Sequence, residues 1–411
     1  MKSVRAVDRS GFGITVDPDN LRNLINAYPS NISLSENGPN QFAPVGSLTT
    51  GIPTLPVPDI SSGRVPLPNT ISTSALPADF RRGYIESYNL SIQRELPWNF
   101  VANIAYVGSH AVRQQSSVNI NAAPAGGGNA GRLLNTIYGP GTNNTDINSN
   151  QPFRGSVYNA LQAQLTRQTA NHGSTGLIYT YSAALDISDN STFSGLIFAY
   201  PSYWDRNWAR AGYDRPNNFQ WWTIEPLPFG KDQPFFKSGI ASKVLGGWQI
   251  QTILSWVSGT PMNITSSGQF LNAPGNTAQA DQLVAHPKIH GVHSNGLGQA
   301  TVAYVDPSSF ADPARISPGV AREGTAGRNS VRGPGFFDLD TGLKRSFSIT
   351  ERVAFELQAE SFDLTNTPQF ANPSNLNIST FNPASPAPQT FGVVTTSNAA
   401  RTLRLSGRVT F

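Results

Sequence analysis

Three histidines are the first residues of this sequence whose types and spacing could do chemistry. The stretch HPKIHGVH holds His286, His290 and His293, and several imidazoles on one segment can bind a transition-metal ion. No carboxylate lies close to them in sequence, and no helical pattern aligns the three rings. We therefore expect loop histidines and no metal site, with metal binding by these three residues as the alternative.

Glu356 and Glu360 are the best candidates for a pair of catalytic carboxylates. Both fall on one side of an alternating stretch, RVAFELQAESFDL. Four residues of extended chain separate them by about 13 Å, which is more than the separation that glycosidases use. They fit better as charges on a polar surface, paired with Arg352, Arg404 or Arg408 on neighbouring strands.

A glycine-rich segment, GTAGRNSVRGPG, could hold an anion with its backbone N–H groups together with Arg328 and Arg332. It lacks the Lys-Ser/Thr pair of a phosphate-binding P-loop, so a tight loop before a strand is the expected structure. The sequence shows no spacing typical of a Ser–His–acid triad and no dinucleotide-binding fingerprint. We expect no enzyme, no catalytic residue and no cofactor.

The composition is that of a chain with many turns and few charges. Of the 411 residues, 37 are Gly, 31 are Pro and only 13% are charged, about half the charged share of a soluble globular protein. The net charge of +4 is spread out without a Lys/Arg-rich run, which argues against a nucleic-acid partner. There is no cysteine, no run of 18 apolar residues for a transmembrane helix, and no apolar signal-peptide core in the first twenty residues.

Alternation of apolar and polar residues dominates the sequence after residue 80. In YIESYNLSIQREL, Tyr88, Leu90 and Ile92 alternate with polar residues, as in a half-buried β-strand. The same pattern returns in FVANIAYVG, YNALQAQLTRQ, GLIYTYSAAL, NNFQWWTIEP, GGWQIQTILSWV, FFDLDTGLKRSF, RVAFELQAESFDL and LRLSGRVTF. We predict about nine strands over 81–411. Residues 1–80 are loop-rich, because a segment with the proline density of GIPTLPVPDISSGRVPLP does not form a central strand.

The connections between these strands alternate in length. Short links at Pro97–Asn99, near 171–174 and near 348–351 alternate with long ones of roughly twenty to seventy residues, as in outer-membrane barrels with short periplasmic turns and long extracellular loops. The sequence therefore predicts an all-β fold, an antiparallel up-and-down transmembrane β-barrel portion in a Gram-negative outer membrane. With about nine strands we expect an incomplete barrel.

The two faces of the predicted strands have different chemistry. A polar face is expected to line the wet interior, and an apolar face with aromatic residues near strand ends is expected to meet lipid. The predicted lumen-facing residues are Gln162, Gln164, Arg352, Glu356, Gln358, Glu360, Arg404 and Arg408. The predicted aromatic girdle is Trp98, Tyr106, Tyr181, Trp222, Trp248, Trp256 and Phe347.

The last stretch, LRLSGRVTF, places apolar residues at alternate positions up to a terminal aromatic ring. We predict that Leu403, Leu405, Val409 and Phe411 are the signal by which the barrel-assembly machinery recognises the chain. The alternative is a soluble or surface-attached β-rich module that binds glycans, in which the same aromatic residues form a sandwich core and sugar platforms.

Several stretches together resemble the C-terminal half of Oar-like TonB-dependent receptors. They are GYIESYNLSIQRELPWNFVANIAYVGSHA, YNALQAQLTRQ with STGLIYTYSAALD, PLPFGKD with LGGWQIQTILSWVSGTPMNIT, and GRNSVRGPGFFDLDTGLKRSFSITERVAFELQAESFDLTNTPQFANP. The resemblance extends over roughly 80–411. It implies the last strands of a twenty-two-stranded barrel, which moves a substrate across the outer membrane with energy delivered through TonB.

The resemblance also sets expectations for what this chain lacks. We find no plug-like region and no TonB-box candidate, so contact with TonB would require a plug outside this chain. By the same analogy, residues 1–80 correspond to an extracellular loop plus the remnant of an earlier strand, and the chain is a fragment of a truncated or split reading frame. The expected partners are outer-membrane lipid, the barrel-assembly machinery and an unknown transported substrate.

Overall fold

One large antiparallel sheet organises the chain. The computed structural model describes residues 6–16, 46–47, 49, 51, 59, 61–63, 69, 72–75, 77, 79–169, 173–189, 195–231, 233–292, 302–385, 388–398 and 400–411. Within these residues a twelve-stranded sheet contains a path of ten antiparallel strands, each bonded to the next along the chain. The path is β1 (Ala6–Val16), β3 (Tyr84–Leu96), β4 (Phe100–Asn119), β5 (Ile147–Gln168), β6 (Ser174–Asp186), β8 (Asn217–Pro226), β9 (Trp248–Val257), β14 (Phe336–Ser348), β15 (Ala354–Phe362) and β16 (Thr402–Thr410).

The remaining elements are short and lie in the connections. Four α-helices occur among the described residues: α1 (Leu133–Tyr138), α2 (Gly239–Leu245), α3 (Gly268–Leu271) and α4 (Pro313–Ile316). No helix in the described part of the chain is long and apolar enough to cross a membrane. The short strands are β2 (Thr73–Ala75), β7 (Ala209–Arg210), β10 (Pro261–Met262), β11 (Asp281–Gln282), β12 (Phe310–Ala311) and β13 (Val331–Arg332).

The strand register gives the sheet one apolar and one polar face. Leu405 lies opposite Ala359, which lies opposite Leu343, which lies opposite Ile250. Because successive side chains point to opposite faces, the neighbouring row is on the other face. The two faces therefore keep their different chemistry across four strands, as the alternation predicts.

The apolar face is open over most of its length. Leu90, Ile104 and Leu161 lie on this face and are 53%, 57% and 49% exposed. A soluble protein covers such a contiguous apolar surface with a second layer. This face is therefore built for an apolar environment outside the protein.

Connections of different length are sorted to opposite ends of the sheet. The links after β3, β5 and β14 comprise residues 97–99, 169–173 and 349–353, and they share one end with the 227–247 connection. We call this the short-turn end. The connections after β4, β6, β9 and β15 meet at the other, long-loop end, and the sheet is therefore the predicted up-and-down arrangement.

The large buried apolar residues lie mainly in the long loops and at the adjoining strand ends. The largest buried cluster draws on the connections after β9 and β15, and it contains Ile264, Val305 and Phe391, each with 0% exposure. A second cluster forms around Val118 and Ile187 where the connections after β4 and β6 begin. We call these packed connections, residues 120–146, 187–216, 258–335 and 363–401, the loop cap.

The structure adds one strand to the nine that alternation predicts. All nine predicted strands are present, and β1 pairs in register with β3 from Ala6 opposite Arg94 to Val16 opposite Tyr84. It lies in the segment 1–80, in which we expected a loop and the remnant of an earlier strand. Its sequence, AVDRSGFGITV, contains two glycines and mixes Asp8 with apolar residues on one face, so its alternation is weak. β1 and β16 are the two edges of the path, and the barrel is not closed.

Candidate functional site

The polar face of the last three strands forms a charged wall. Arg404 lies opposite Glu360, which lies opposite Gly342, and Gln251 continues the row. The Arg404 Nη2 and Glu360 Oε2 atoms are 2.5 Å apart, and Arg404 Nε also donates to Oε2 at 2.6 Å. Gln358 donates to Glu360 Oε1 at 2.9 Å. This pairing of Glu360 with Arg404 is one that the sequence predicts.

The second carboxylate of this wall has a different partner from those expected. Glu356 lies opposite Arg408 in the register, but its Oε2 atom contacts Lys344 Nζ at 2.6 Å. Lys344 is on β14, on the other side of Glu356, so the polar face alternates acid and base across three strands. Arg352 lies outside β15 in the 349–353 turn, where its backbone N–H donates to Thr350.

The predicted polar residues of β5 belong to the same face. Gln162 lies opposite Ala105 and Thr180, and Gln164 lies opposite Asn103 and Ile178. Their rows continue through strands β6 and β8 to the charged wall. The polar face of the sheet is thus rich in amides on strands β5 to β8 and charged on strands β14 to β16.

Aromatic residues form a continuous row on the apolar face near the long-loop end. Tyr179, Phe219, Trp256 and Phe337 lie opposite one another on four consecutive strands. Trp248 lies eight residues before Trp256 on β9, about 26 Å lower along the strand. Because barrel strands are tilted by about 35–45°, this separation spans roughly 20 Å along the membrane normal, a little less than the apolar band of about 25 Å in outer-membrane barrels.

The other predicted girdle residues are placed less uniformly. Tyr106 and Tyr181 lie on the apolar face, both opposite Leu161, and the Tyr106 hydroxyl donates to Asn159 Oδ1 at 2.7 Å. Phe347 lies on the same face near the short-turn end, with its ring 6.2 Å from that of Phe355.

Trp222 is on the polar face, contrary to the expected girdle position. It lies opposite Gly176 and Ile253, and a Cβ atom on Gly176 would be 2.5 Å from the indole ring. Its neighbour Trp221 occupies the apolar face, opposite Leu254. In the WW dipeptide a one-residue shift exchanges the faces, and the sequence alone does not decide it. Trp98 lies in the 97–99 turn.

Trp98 and Trp222 come together at the short-turn end. They line one open cavity of about 1000 Å³, which also includes Glu95, Gln168 and Phe100. Trp98 is 80% exposed, and its backbone has φ 62°, in the left-handed region. The tight turn after β3 therefore holds this indole outward at the rim of the sheet.

Arginine–aspartate pairs hold the loop cap together. Arg328 is 2% exposed and is paired with Asp186, also 2% exposed, and its Nη1 contacts Asp189 Oδ2 at 3.1 Å. Its Nε donates to the Asn207 carbonyl at 3.0 Å. Sequence reasoning considered Arg328 only as a possible anion ligand. In the structure Asp186 and Asp189 neutralise the charge of Arg328. The 324–335 segment is thereby bound to the end of β6 and the connection that follows it, and we call this contact the latch.

A second buried pair repeats this arrangement four residues later. Arg332 Nη2 contacts Asp214 Oδ2 at 2.7 Å, and the Asp214 side chain is 1% exposed. The other Asp214 oxygen accepts the Ala184 backbone N–H at 2.7 Å. Arg332 Nη1 also donates to the Gly259 carbonyl. The 187–216 and 258–335 connections are thereby joined to each other and to the end of β6.

Glu323 is a buried carboxyl group of the cap that sequence reasoning missed. Neither of its Oε atoms has a hydrogen-bond partner among the described residues. Burial raises the pKa of Glu323 to about 7, and the positive charge of Arg206 opposes this rise. Arg206 itself lies over the Phe198 ring at 4.2 Å, and burial lowers its pKa.

The histidine segment shows no metal site in the part of the chain that the structure describes. His290 Nε2 contacts Asp306 Oδ2 at 3.2 Å, a carboxylate that is distant in sequence. His293 lies outside the described residues, so the structure describes only His286 and His290 of the three histidines. No group of three or more His, Cys, Asp or Glu residues that could hold a metal ion occurs among the described residues.

The final strand is exposed along its whole length. Leu403 and Leu405 are 71% and 80% exposed, Val409 is 55% exposed and Phe411 is 96% exposed. A sandwich would cover this row with a second sheet, and no such layer is present among the described residues. The chain ends at the short-turn end of the sheet.

The sequence profile of the family described as "Outer membrane beta barrel domain" matches residues 3–404. The chain belongs to this outer-membrane β-barrel family. It is located in the outer membrane of the Gram-negative type, and its apolar face meets lipid. The short-turn end is periplasmic and the long loops are extracellular.

Solved structures of outer-membrane transporters resemble this barrel domain at low identity. The outer membrane transporter YddB from Escherichia coli has a TM-score of 0.41 at 10% identity, and the alignment covers 82% of this chain and 34% of YddB. The ferric citrate transporter FecA in its unliganded form has a TM-score of 0.33 at 10% identity, covering 80% and 31%. The ferric-catecholate import receptor Fiu from E. coli K12 has a TM-score of 0.34 at 9% identity, covering 81% and 28%.

The chain spans about a third of the length of these transporters. At these scores and identities the likeness adds nothing to the family assignment. No curated protein has a significantly similar sequence. The family assignment of the barrel domain therefore rests on the profile match together with the two-faced sheet.

Proposed function

We propose that this chain is the C-terminal barrel portion of an Oar-like TonB-dependent transporter. In this proposal its polar face lines the path of a substrate across the outer membrane, and earlier strands and a plug complete the protein. The single observation that carries the proposal is the two-faced sheet of ten strands with two unpaired edges, β1 and β16. An unpaired edge in lipid costs several kcal/mol for each unsatisfied backbone group, so further strands must cover both edges.

The proposed role is transport without catalysis. Several ionisable groups on the polar face form acid–base pairs, such as Glu360 with Arg404 and Glu356 with Lys344. Such pairs suit a path that must remain hydrated and must not hold a substrate tightly. TonB would reach the complete protein through its plug, and the substrate is set by the plug and the extracellular loops.

We propose separate roles for the two predicted sets of apolar residues. Leu403, Leu405, Val409 and Phe411 form the signal for the barrel-assembly machinery, supported by the exposure of this row at the end of β16. The girdle role is supported for the residues on the apolar face, and Trp221 takes the position that we expected for Trp222.

A fractionation experiment tests this proposal. The chain is expressed alone, and also fused to the reading frame upstream of Met1, and each product is assayed for outer-membrane fractionation, heat-modifiable migration on a gel and crosslinking to TonB. We expect heat-modifiable migration and TonB crosslinking only for the fused product. A chain that dissolves without detergent, or that alone forms a closed, heat-modifiable barrel, would contradict the proposal.

A further inference from the structure

Among the described links at the periplasmic end, the 227–247 connection is the one with an α-helix of its own. It joins β8 to β9 and contains α2, Gly239–Leu245. The segment before the helix is folded back on itself, because Gly230 donates to the Phe235 carbonyl at 3.0 Å and Phe235 donates to the Pro228 carbonyl at 3.1 Å. The connection is thus a structured element with a defined position.

Two residues on the apolar, lipid-facing side of the sheet form hydrogen bonds with the C-terminal end of α2. Trp248 Nε1 donates to the Val244 carbonyl at 3.0 Å. Arg345 donates to the Lys243 carbonyl at 2.6 Å and to the Val244 carbonyl at 2.7 Å. Trp248 and Arg345 lie opposite each other in the register, on the apolar face. The helix is therefore tied to the outer side of the wall.

Arg345 is itself fitted between aromatic rings at this position. Its guanidinium carbon is 4.5 Å from the Phe347 ring centroid and 5.8 Å from that of Trp248. A guanidinium group on the lipid-facing side is tolerated near the interface, where it can reach polar partners. Here the carbonyl groups at the C-terminus of α2 are those partners, which fixes the depth of the helix at the membrane interface.

Five apolar side chains of the 227–247 connection are exposed. Ile240 is 81% exposed and Val244, one turn later, is 58% exposed. Phe235 and Phe236 are 58% and 51% exposed, and Leu245 is 41% exposed. These five residues leave apolar side-chain surface exposed within one periplasmic connection, and burying it would stabilise the protein.

Positive charge accompanies this apolar surface. Lys231, Lys237 and Lys243 are all exposed, and the one acidic residue in the 227–247 sequence is Asp232, which lies outside the described residues. Apolar side chains flanked by lysines are the composition of segments that lie in a membrane interface and contact anionic headgroups.

We propose that 229–245 is an interfacial anchor that inserts Phe235, Phe236, Ile240 and Val244 into the periplasmic leaflet. Its lysines contact the phosphate groups of anionic phospholipids. The anchor fixes the height of the β8–β9 hairpin in the bilayer. Trp222 lies on the polar, inner face of the same hairpin. This inference depends on the assignment of the apolar face to lipid, which places the attachment points Trp248 and Arg345 at the membrane surface.

Lipid fits this surface better than a protein partner does. The helix is bonded to residues that themselves face the hydrocarbon side, so a protein in the periplasm would reach it only through the headgroup region. The lysines lie beside the apolar residues, which matches phosphate groups just above acyl chains. A second copy of the chain and a periplasmic protein are therefore outcomes that the test must distinguish.

Single-cysteine labelling tests the anchor, because the chain has no cysteine of its own. A fluorophore is placed at Ile240→Cys in the product fused to the upstream reading frame, with any cysteine of the added part replaced, and the labelled protein is inserted into phosphatidylcholine vesicles that contain phosphatidylglycerol. Leu405→Cys is the matched control on the lipid-facing wall, since Leu405 is 80% exposed and Ile240 is 81% exposed. Val320→Cys, 56% exposed in the loop cap, is the control for an aqueous position. Quenching by brominated acyl chains and by iodide is then compared.

We expect brominated lipid to quench the label at Ile240→Cys and at Leu405→Cys, and iodide to quench that at Val320→Cys. The anchor is contradicted if iodide quenches Ile240→Cys while Leu405→Cys remains lipid-exposed, and the barrel assignment survives that result. It is also contradicted if neither quencher reaches Ile240→Cys, because a protein then covers it. If brominated lipid fails to quench Leu405→Cys, the lipid assignment of the wall and the anchor fail together.

Lysine variants test the headgroup contact separately. Lys237→Gln and Lys243→Gln each remove one charge from an exposed position. Each change is expected to lower the insertion equilibrium in phosphatidylglycerol-containing vesicles about fivefold, and to leave insertion into pure phosphatidylcholine unchanged. An equal effect in both lipids would contradict a role of these lysines in binding anionic headgroups.

Discussion

The ten-stranded sheet, which we call the wall, and the loop cap place the same types of amino acid in different environments. On the wall, leucine and isoleucine point outward and stay exposed, as with Leu405 at 80% and Ile104 at 57%. In the cap, Ile264 and Phe391 are completely buried. Arginine side chains show the same contrast, because that of Arg404 is 60% exposed on the inner face while that of Arg328 is 2% exposed in the cap.

This difference follows from the surroundings of each region. Lipid replaces the packed interior for the wall, so its apolar side chains need no second layer. The extracellular cap is surrounded by water, and it gains stability by burying apolar surface in the ordinary way. Polar groups that become buried in the cap must therefore find partners, and arginine–aspartate pairs supply them.

The largest effect is expected at the latch of the cap. Arg328→Met leaves Asp186 buried without its partner, which typically costs about 3–5 kcal/mol. The loss should appear as faster amide hydrogen exchange over 324–333, with exchange in strands β14 to β16 unchanged. Arg154→Met is the control, since Arg154 pairs with the 87% exposed Asp205 and should matter by less than about 1 kcal/mol. Equal effects of the two substitutions would show that burial does not govern the cap.

A charge placed on the wall should distinguish its two faces. Leu405→Arg puts a cation among lipid chains, and we expect the free energy of unfolding in phospholipid vesicles to fall by about 2–4 kcal/mol. Ser406→Arg, on the adjacent residue, faces the wet side and should have little effect. Urea midpoints in vesicles measure both variants. A larger cost at Ser406→Arg would reverse the assignment of the faces.

A pH titration should separate the cap from the wall. Burial raises the pKa of Glu323 to about 7, so the folded cap binds a proton more tightly than the unfolded chain does. The contribution of Glu323 to cap stability is then greatest below about pH 4.5 and is lost as the pH rises to 7, by roughly 3 kcal/mol at most. Glu323→Gln should remove this slope in hydrogen exchange of the cap. A slope that persists in the variant would assign it to another group.

The smallest effect is expected for the ion pair on the wall. Arg404→Gln removes the contact with Glu360, but Arg404 is 60% exposed and exposed pairs contribute about 0–1 kcal/mol. Unfolding in vesicles at low salt should detect this change, and high salt should abolish it. A loss as large as that of Arg328→Met would mean that the wall carries a buried charge network.

The alternation of apolar and polar residues was sufficient to predict the strands of the sheet, but it did not assign every residue to the correct face. Strands β3 to β16 of the main path follow from period two, because each apolar residue must point the same way. Alternation did not locate β1, because Gly11, Gly13 and Asp8 weaken that period, and only the family resemblance placed the remnant of an earlier strand within residues 1–80. Trp222 was placed on the wrong face because the WW dipeptide offers an aromatic ring to either side.

The loop cap could not be predicted, because long-range pairing makes it. Arg328 and Asp186 are separated by 142 positions, and Arg332 and Asp214 by 118. No local pattern couples residues at such distances. Sequence reasoning recorded the two arginines as possible ligands for an anion, and only the fold shows that aspartates already satisfy them.

A cysteine scan through 402–410 tests the central claim, that the apolar face of the sheet meets lipid. Each position carries one label in turn, and quenching by brominated lipid is compared with reaction of the free thiol with a water-soluble reagent. The account predicts lipid quenching at Leu403, Leu405, Gly407 and Val409, and aqueous reactivity at Arg404, Ser406 and Arg408. Aqueous reactivity at every position, or protection of the leucine positions from both probes, would contradict it.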